Sequence, residues 1–135
     1  MKREPVWITK AAALAIHERL LAEHGGAAGV REEGMLESAL SSPRNHFHHG
    51  ETDLFVRAAV LANALPRNHP FSDGNKRLSL TLAGVFLELN GWRLDATEHE
   101  AAAMTIALAA HEVDEAGFAR WLRDSCSKRR GSQPH

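Results

Sequence analysis

Nine consecutive residues carry the chemistry available to this chain: His69-Pro70-Phe71-Ser72-Asp73-Gly74-Asn75-Lys76-Arg77. An imidazole titrates near neutral pH, so His69 can take a proton from an attacking hydroxyl. Asp73 offers a hard oxygen of the kind Mg²⁺ prefers when phosphates complete its shell. Gly74 lets a phosphate approach the backbone closely. The pattern beyond Gly74 is helical, and the N–H groups of a helix start lack partners and point outward. Lys76 and Arg77 add cationic donors where an anion would sit. The helix dipole favours Asp and Glu in a first turn, so two basic residues there make sense if an anion binds. One loop thus groups a base, a metal ligand and an anion nest, which is what transfer from a nucleoside triphosphate requires.

The elements that position this loop read as helices, and the expected class is all-α. No stretch alternates convincingly at period two, and Tyr is absent. Thr9 is a plausible N-cap for a helix to about Glu23, with Ala13, Ile16 and Leu20 facing inward and Gly25-Gly26 as its stop. A short helix is expected around Met35 to Leu40, ended by Ser41-Ser42-Pro43. Residues 44–50 then read as a polar loop. Thr52 or Asp53 can cap a third helix, which Pro66 should kink or end. After the loop from His69 to Gly74, a long central helix runs from Asn75 to Asn90-Gly91. Its apolar stripe is Leu78, Leu82, Val85, Phe86 and Leu89. Thr97 and Glu100 have capping-box spacing for an Ala-rich helix to about His111. Asp114 caps a last helix carrying Phe118, Trp121 and Leu122. About six helices in a compact bundle follow, with the motif loop at the N-terminus of the central one. Residues 1–126 read as one domain and 127–135 as a flexible polar tail.

Composition sets the outer limits. The 135 residues suit one domain and are too few for a protein-kinase catalytic fold, a TIM barrel or two Rossmann halves. Apolar residues make up 44% and charged residues 24%, the usage of a globular chain. Sixteen Lys and Arg face 17 Asp and Glu, so no global field favours nucleic acid or a membrane surface. No apolar stretch reaches the length of a transmembrane helix. A single cysteine, Cys126, forbids an internal disulfide. A cytoplasmic protein is expected.

Other features have bland readings. His46, His48 and His49 on one polar stretch without Cys make a poor metal site, because zinc needs four ligands in fixed geometry. Trp7, Trp92 and Trp121 read as packing residues. Lys128-Arg129-Arg130 read as solvated charges.

The motif also resembles a known family. HPFSDGNKR matches the Fic/Doc signature H-x-F-x-[DE]-[AG]-N-[GK]-R. The segments around Ala15-Ile16-His17-Glu18, Gly34 to Leu40 and Phe86 to Gly91 are similar to the flanking helices of the Doc-type, or death-on-curing, branch. Adenylylating members typically have Gly after the Asn and a second Arg three residues after the first. Lys76 and Leu80 stand at those positions here, and both departures are Doc-like.

The resemblance implies a Fic-fold protein kinase that delivers the γ-phosphate of ATP, with Mg²⁺. It implies a toxin that modifies a hydroxyl on a translation factor, elongation factor Tu, restrained by a cognate antitoxin whose C-terminal segment folds into a groove near the site. It makes His69 the general base, Asp73 the Mg²⁺ ligand and Phe71 a buried anchor. Gly74, Asn75 and Lys76 would form the anion nest, with the side chains of Asn75, Lys76 and Arg77 on phosphates. Arg57, Arg67 and Asn68 are candidate outer contacts. The inhibitory pattern [ST]-x-x-x-E-[GN] of adenylylating relatives has no match, since Glu33-Gly34 is preceded by Gly29. Adenylylation and a non-catalytic antitoxin-binding role remain the alternatives.

Overall fold

The computed structural model describes residues 4–30, 32–68, 70–72 and 74–129. Among the described residues, six helices order as α1 (Lys10–His24), α2 (Glu33–His48), α3 (Leu54–Asn68), α4 (Asn75–Leu89), α5 (Glu98–Ala109) and α6 (Glu115–Ser125). Two short strands, β1 (Trp92–Leu94) and β2 (Cys126–Lys128), pair antiparallel with Trp92 opposite Lys128. The class is all-α, as the helical patterning predicts.

The caps hold several helix starts where short polar side chains stand. Thr9 accepts from the Ala12 N–H at 3.1 Å, Thr97 from Glu100 at 3.1 Å and Asp114 from Gly117 at 2.8 Å. Asp53 receives the N–H groups of Phe55 and Val56 at the start of α3. Each cap satisfies a donor the helix cannot reach itself, a contribution of about 1 kcal/mol.

The core lies between α3 and α4. Ala58, Ala59, Leu61, Ala62 and Leu65 of α3 are buried against Leu78, Leu82, Ala83, Phe86 and Leu87 of α4. The alanines let the two backbones approach, and α2 and α6 cover the other sides of α3. Each fully buried Leu or Phe contributes roughly 1.5–3 kcal/mol of transfer free energy. Among the described elements, the two helices that flank the motif loop share the most extensive contact.

Three expectations from local sequence need correction. Helix α2 does not stop at Pro43 but runs through it to His48. Pro43 is buried, and the residues beyond it have tertiary partners: Phe47 packs edge-on against Trp7 at 5.8 Å and under the Arg57 guanidinium at 4.9 Å. His46 and His49 each turn Nδ1 onto the carbonyl four residues back, at 2.9 and 2.8 Å. That cluster is a helix end, not a loop, and no group of three or more metal-ligating residues occurs among the described residues.

Helix α3 likewise continues past Pro66 to Asn68. Proline cannot donate to the Ala62 carbonyl, but Ser79 Oγ donates to it instead, at 2.5 Å. The backbone group freed by the ring is satisfied by the neighbouring helix.

The polar segment from Ser127 is ordered at its start. Ser127 and Lys128 belong to β2, Ser127 Oγ donates to Asp95 at 2.6 Å, and Arg129 donates to the carbonyls of Gly91 and Glu88. Three-residue strands are too short to show a period, so neither strand is legible locally. The three Trp residues pack as expected: Trp7 on Phe86, Trp92 on Phe55 and Trp121 on Phe118. No helix among the described residues is long and apolar enough to cross a membrane.

Candidate active site

The motif loop bridges the C-terminal end of α3 and the N-terminal end of α4. Its two chemical groups predicted from sequence, His69 and Asp73, lie outside the described residues. The frame around them is described in detail.

Phe71 is 1% exposed and anchors the loop in the core. Its ring stacks on the His17 imidazole of α1, with centroids 3.7 Å apart and planes 18° from parallel. The backbone of Phe71 is held from the other side. Asn75 accepts from the Phe71 N–H at 3.1 Å and donates to the Phe71 carbonyl at 2.9 Å. This two-point amide pairing closes the loop on the first residue of α4.

Gly74 is the N-cap of α4, at φ 83°, and among the described residues no side chain caps this helix. A left-handed backbone there suits glycine and costs other residues about 1 kcal/mol or more. The first backbone bond of α4 runs from Leu78 N–H to Gly74 O, at 2.9 Å. The first turn holds no acidic residue, while Lys76 and Arg77 stand exposed on it. Among the described residues, no carboxylate is within ion-pair distance of either. A helix start with partial positive charge and two exposed cations in its first turn is electrostatically suited to an anion.

Asn75 differs from the expectation in one respect. Its side chain is 5% exposed, and both its polar atoms are committed to Phe71. It latches the loop to the first turn of α4. Leu80, where adenylylating relatives carry Arg, lines an open groove of about 320 Å³ with Lys76, Arg77, Ala102, Thr105 and Ile106.

The candidate outer contacts divide. Asn68 donates to the Met35 carbonyl at 3.1 Å, tying the end of α3 to the start of α2 beside the loop. Arg67 points its guanidinium at the His111 ring, Nη1 to Nε2 at 2.9 Å. Arg57 lies at the other end of α3 from the loop. It sits in the first turn of α3, about 15 Å along the axis from Arg67. It is 3% exposed and donates to the Glu51 carbonyl at 2.8 Å, with burial pushing its pKa down. Sequence places an Arg on the helix but not at which end it works.

Two participants were not singled out from sequence. His17 is one, and its signal was a polar residue interrupting the inward face of Ala13, Ile16 and Leu20. The other is the linker before α2. Val30 forms a β-bridge with Phe71, Ser72 N–H donates to Gly29 O, and Glu32 N–H donates to Pro70 O. Nothing local marks that pairing, because its partner lies some forty residues away.

Comparison with known proteins agrees with this frame. The profile of the Fic/DOC family matches residues 7–87. The chain is similar to "Protein kinase doc" of Escherichia phage P1, 32% identical over 111 residues, covering 82% of this chain and 87% of that protein. It is also similar to "Toxin Doc" of Mycolicibacterium smegmatis, 38% identical over 74 residues, covering 53% of this chain and 57% of that one. The family match spans more than half the chain and includes the whole motif loop, and the relatives carry the Doc name. The chain belongs to the Fic/DOC family, as a Doc-type member.

Proposed function

We propose that this chain is the toxin of a toxin–antitoxin pair and acts as a protein kinase in the cytoplasm. It transfers the γ-phosphate of ATP to a hydroxyl side chain of a translation factor, elongation factor Tu, and so arrests growth. The kinship with a protein named as a kinase and another named as a toxin supports the class. The observation that carries the site is the start of α4: Gly74 left-handed, no acid in the first turn, and Lys76 and Arg77 exposed.

In this reading His69 is the general base. The hydroxyl proton passes to its imidazole as the hydroxyl oxygen bonds to the γ-phosphorus. The bond from that phosphorus to the β–γ bridging oxygen breaks, and ADP leaves. The N–H groups of Gly74, Asn75 and Lys76 line the nest, and the side chains of Asn75, Lys76 and Arg77 contact phosphates. Asp73 would hold Mg²⁺, since one carboxylate plus phosphate oxygens is an ordinary donor set for that ion. Bound there, Mg²⁺ would neutralise charge on the phosphates. Phe71, His17 and the Asn75 amide keep the loop in one shape, which positioning-dominated catalysis needs.

A cognate antitoxin restrains the activity, its C-terminal segment folding into a groove near the site. The groove lined by Leu80, Ala102 and Ile106 begins at Lys76 and Arg77 and supports that placement. Incubation with Mg²⁺, a bacterial lysate and ATP labelled at the α or γ position tests the chemistry. Label from the γ position alone is expected; label from the α position alone would replace kinase with adenylylation.

A further inference from the structure

We infer that His17 is a positioning residue of the phosphate nest, a role that rests on the phosphate-binding reading of the start of α4. Three observations carry it. His17 is 4% exposed on a helix that is otherwise largely solvated. Its ring lies flat on Phe71, 3.7 Å between centroids. Its edge faces Gly74: a β-carbon placed on Gly74 would be 3.4 Å from His17 Nε2 and 3.6 Å from Cδ2.

One imidazole therefore stacks on Phe71 and lies beside the space at Gly74 that a side chain would enter. It presses Phe71 from its face and bounds Gly74 from its edge. On the Phe71 side the Asn75 amide pairs with the backbone, so the loop is held between α1 and the first residue of α4. The direction of the nest N–H groups depends on the Gly74 backbone. Gly74 has the widest conformational freedom of any residue type, so its fixed φ of 83° must come from neighbours. Among the described residues outside its chain neighbours, His17 is the side chain nearest to where a β-carbon on Gly74 would stand.

Apolar packing alone would be served by Leu or Phe at position 17, in line with Ala13 and Leu20. A planar ring with a nitrogen at the Gly74 edge is more specific. Nε2 and Cδ2 stand at van der Waals distance from where a side chain at Gly74 would begin. The loop geometry, and with it the alignment of the phosphates, then follows from α1, an element that holds no catalytic group.

The test compares His17→Ala and His17→Gln in the full chain. Gln is planar, reaches as far as Nε2 and preserves the amide-like edge toward Gly74. ATP affinity is measured by calorimetry, and transfer of γ-label into lysate protein gives the rate. Thermal melts report folding. We expect His17→Ala to lower the transfer rate at saturating ATP at least tenfold and weaken ATP binding less than that, while His17→Gln recovers most of the rate. The rate should fall more than the affinity because misdirected donors cost most in the transition state.

Unchanged rate and affinity in a folded His17→Ala protein would overturn the inference, as would a His17→Gln protein no better than His17→Ala. Unfolding of both variants at 25 °C would make His17 a core residue and equally overturn it. If the unsubstituted protein binds no ATP, the nest reading itself fails, which separates that failure from the failure of His17.

Discussion

Ser79 Oγ donates to the Ala62 carbonyl at 2.5 Å, filling the acceptor that Pro66 leaves without a helical partner. The bond joins the helix that ends at the motif loop to the helix that begins there. Ser79 is fully buried, so losing its hydroxyl strands a carbonyl in the core. Ser79→Ala should cost about 1–3 kcal/mol, read as a fall of the denaturation midpoint. The penalty should shrink in a Pro66→Ala background, where the restored N–H can reach Ala62 itself. A double-mutant cycle with no coupling would refute the link.

Asn75 should tolerate little change. Asn75→Asp keeps the shape but cannot donate to the Phe71 carbonyl, and it adds negative charge beside the nest. It should lower the transfer rate at least tenfold while leaving helix content by circular dichroism intact. A fully active Asn75→Asp protein would show that the loop needs no latch.

Lys76 and Arg77 should act through charge on phosphate. Lys76→Ala and Arg77→Ala should each raise KM for ATP several-fold, with a stability change within about 0.5 kcal/mol because both side chains are exposed. The effect should weaken as salt rises, since exposed charges are screened over roughly 10 Å at 0.1 M. ATP affinity indifferent to both substitutions would remove the anion site.

His69→Ala should abolish growth arrest when the chain is expressed without its antitoxin, and Asp73→Asn should raise the Mg²⁺ concentration needed for half-maximal transfer. Arrest that persists in His69→Ala would make the toxicity non-catalytic.

Cys126 should be a slow nucleophile. Burial, with Asp95 nearby, pushes its thiol up to about 11 from a usual 9.0. At pH 8 the thiolate is then on the order of 0.1% of the thiol. Alkylation by iodoacetamide should accelerate about tenfold per pH unit between 8 and 10. The raised value favours the folded state below 9.0, and that contribution is lost as pH rises through 11. Reaction at the rate of a free thiol at pH 8 would contradict this burial.

What sequence determined by itself is local. The caps Thr9, Asp53, Thr97 and Asp114 stand where a side-chain oxygen meets an unpaired N–H a few residues on. The α4 stripe obeys a period set by helix geometry, and the nine-residue motif keeps its order in any fold. Tertiary structure decided what depends on distant partners. Pro43 looks like a stop, and Pro66 like a kink or an end, until burial and Ser79 offset the missing bonds. The pairing of the Asn75 amide with the Phe71 backbone, and the burial of Arg57 in the first turn of α3, depend on packing that no local pattern announces. His17 lies more than fifty residues before the loop it touches. Only the packing of α1 against the motif brings the two together, because ring stacking and van der Waals contact act over a few ångströms of space, not along the chain.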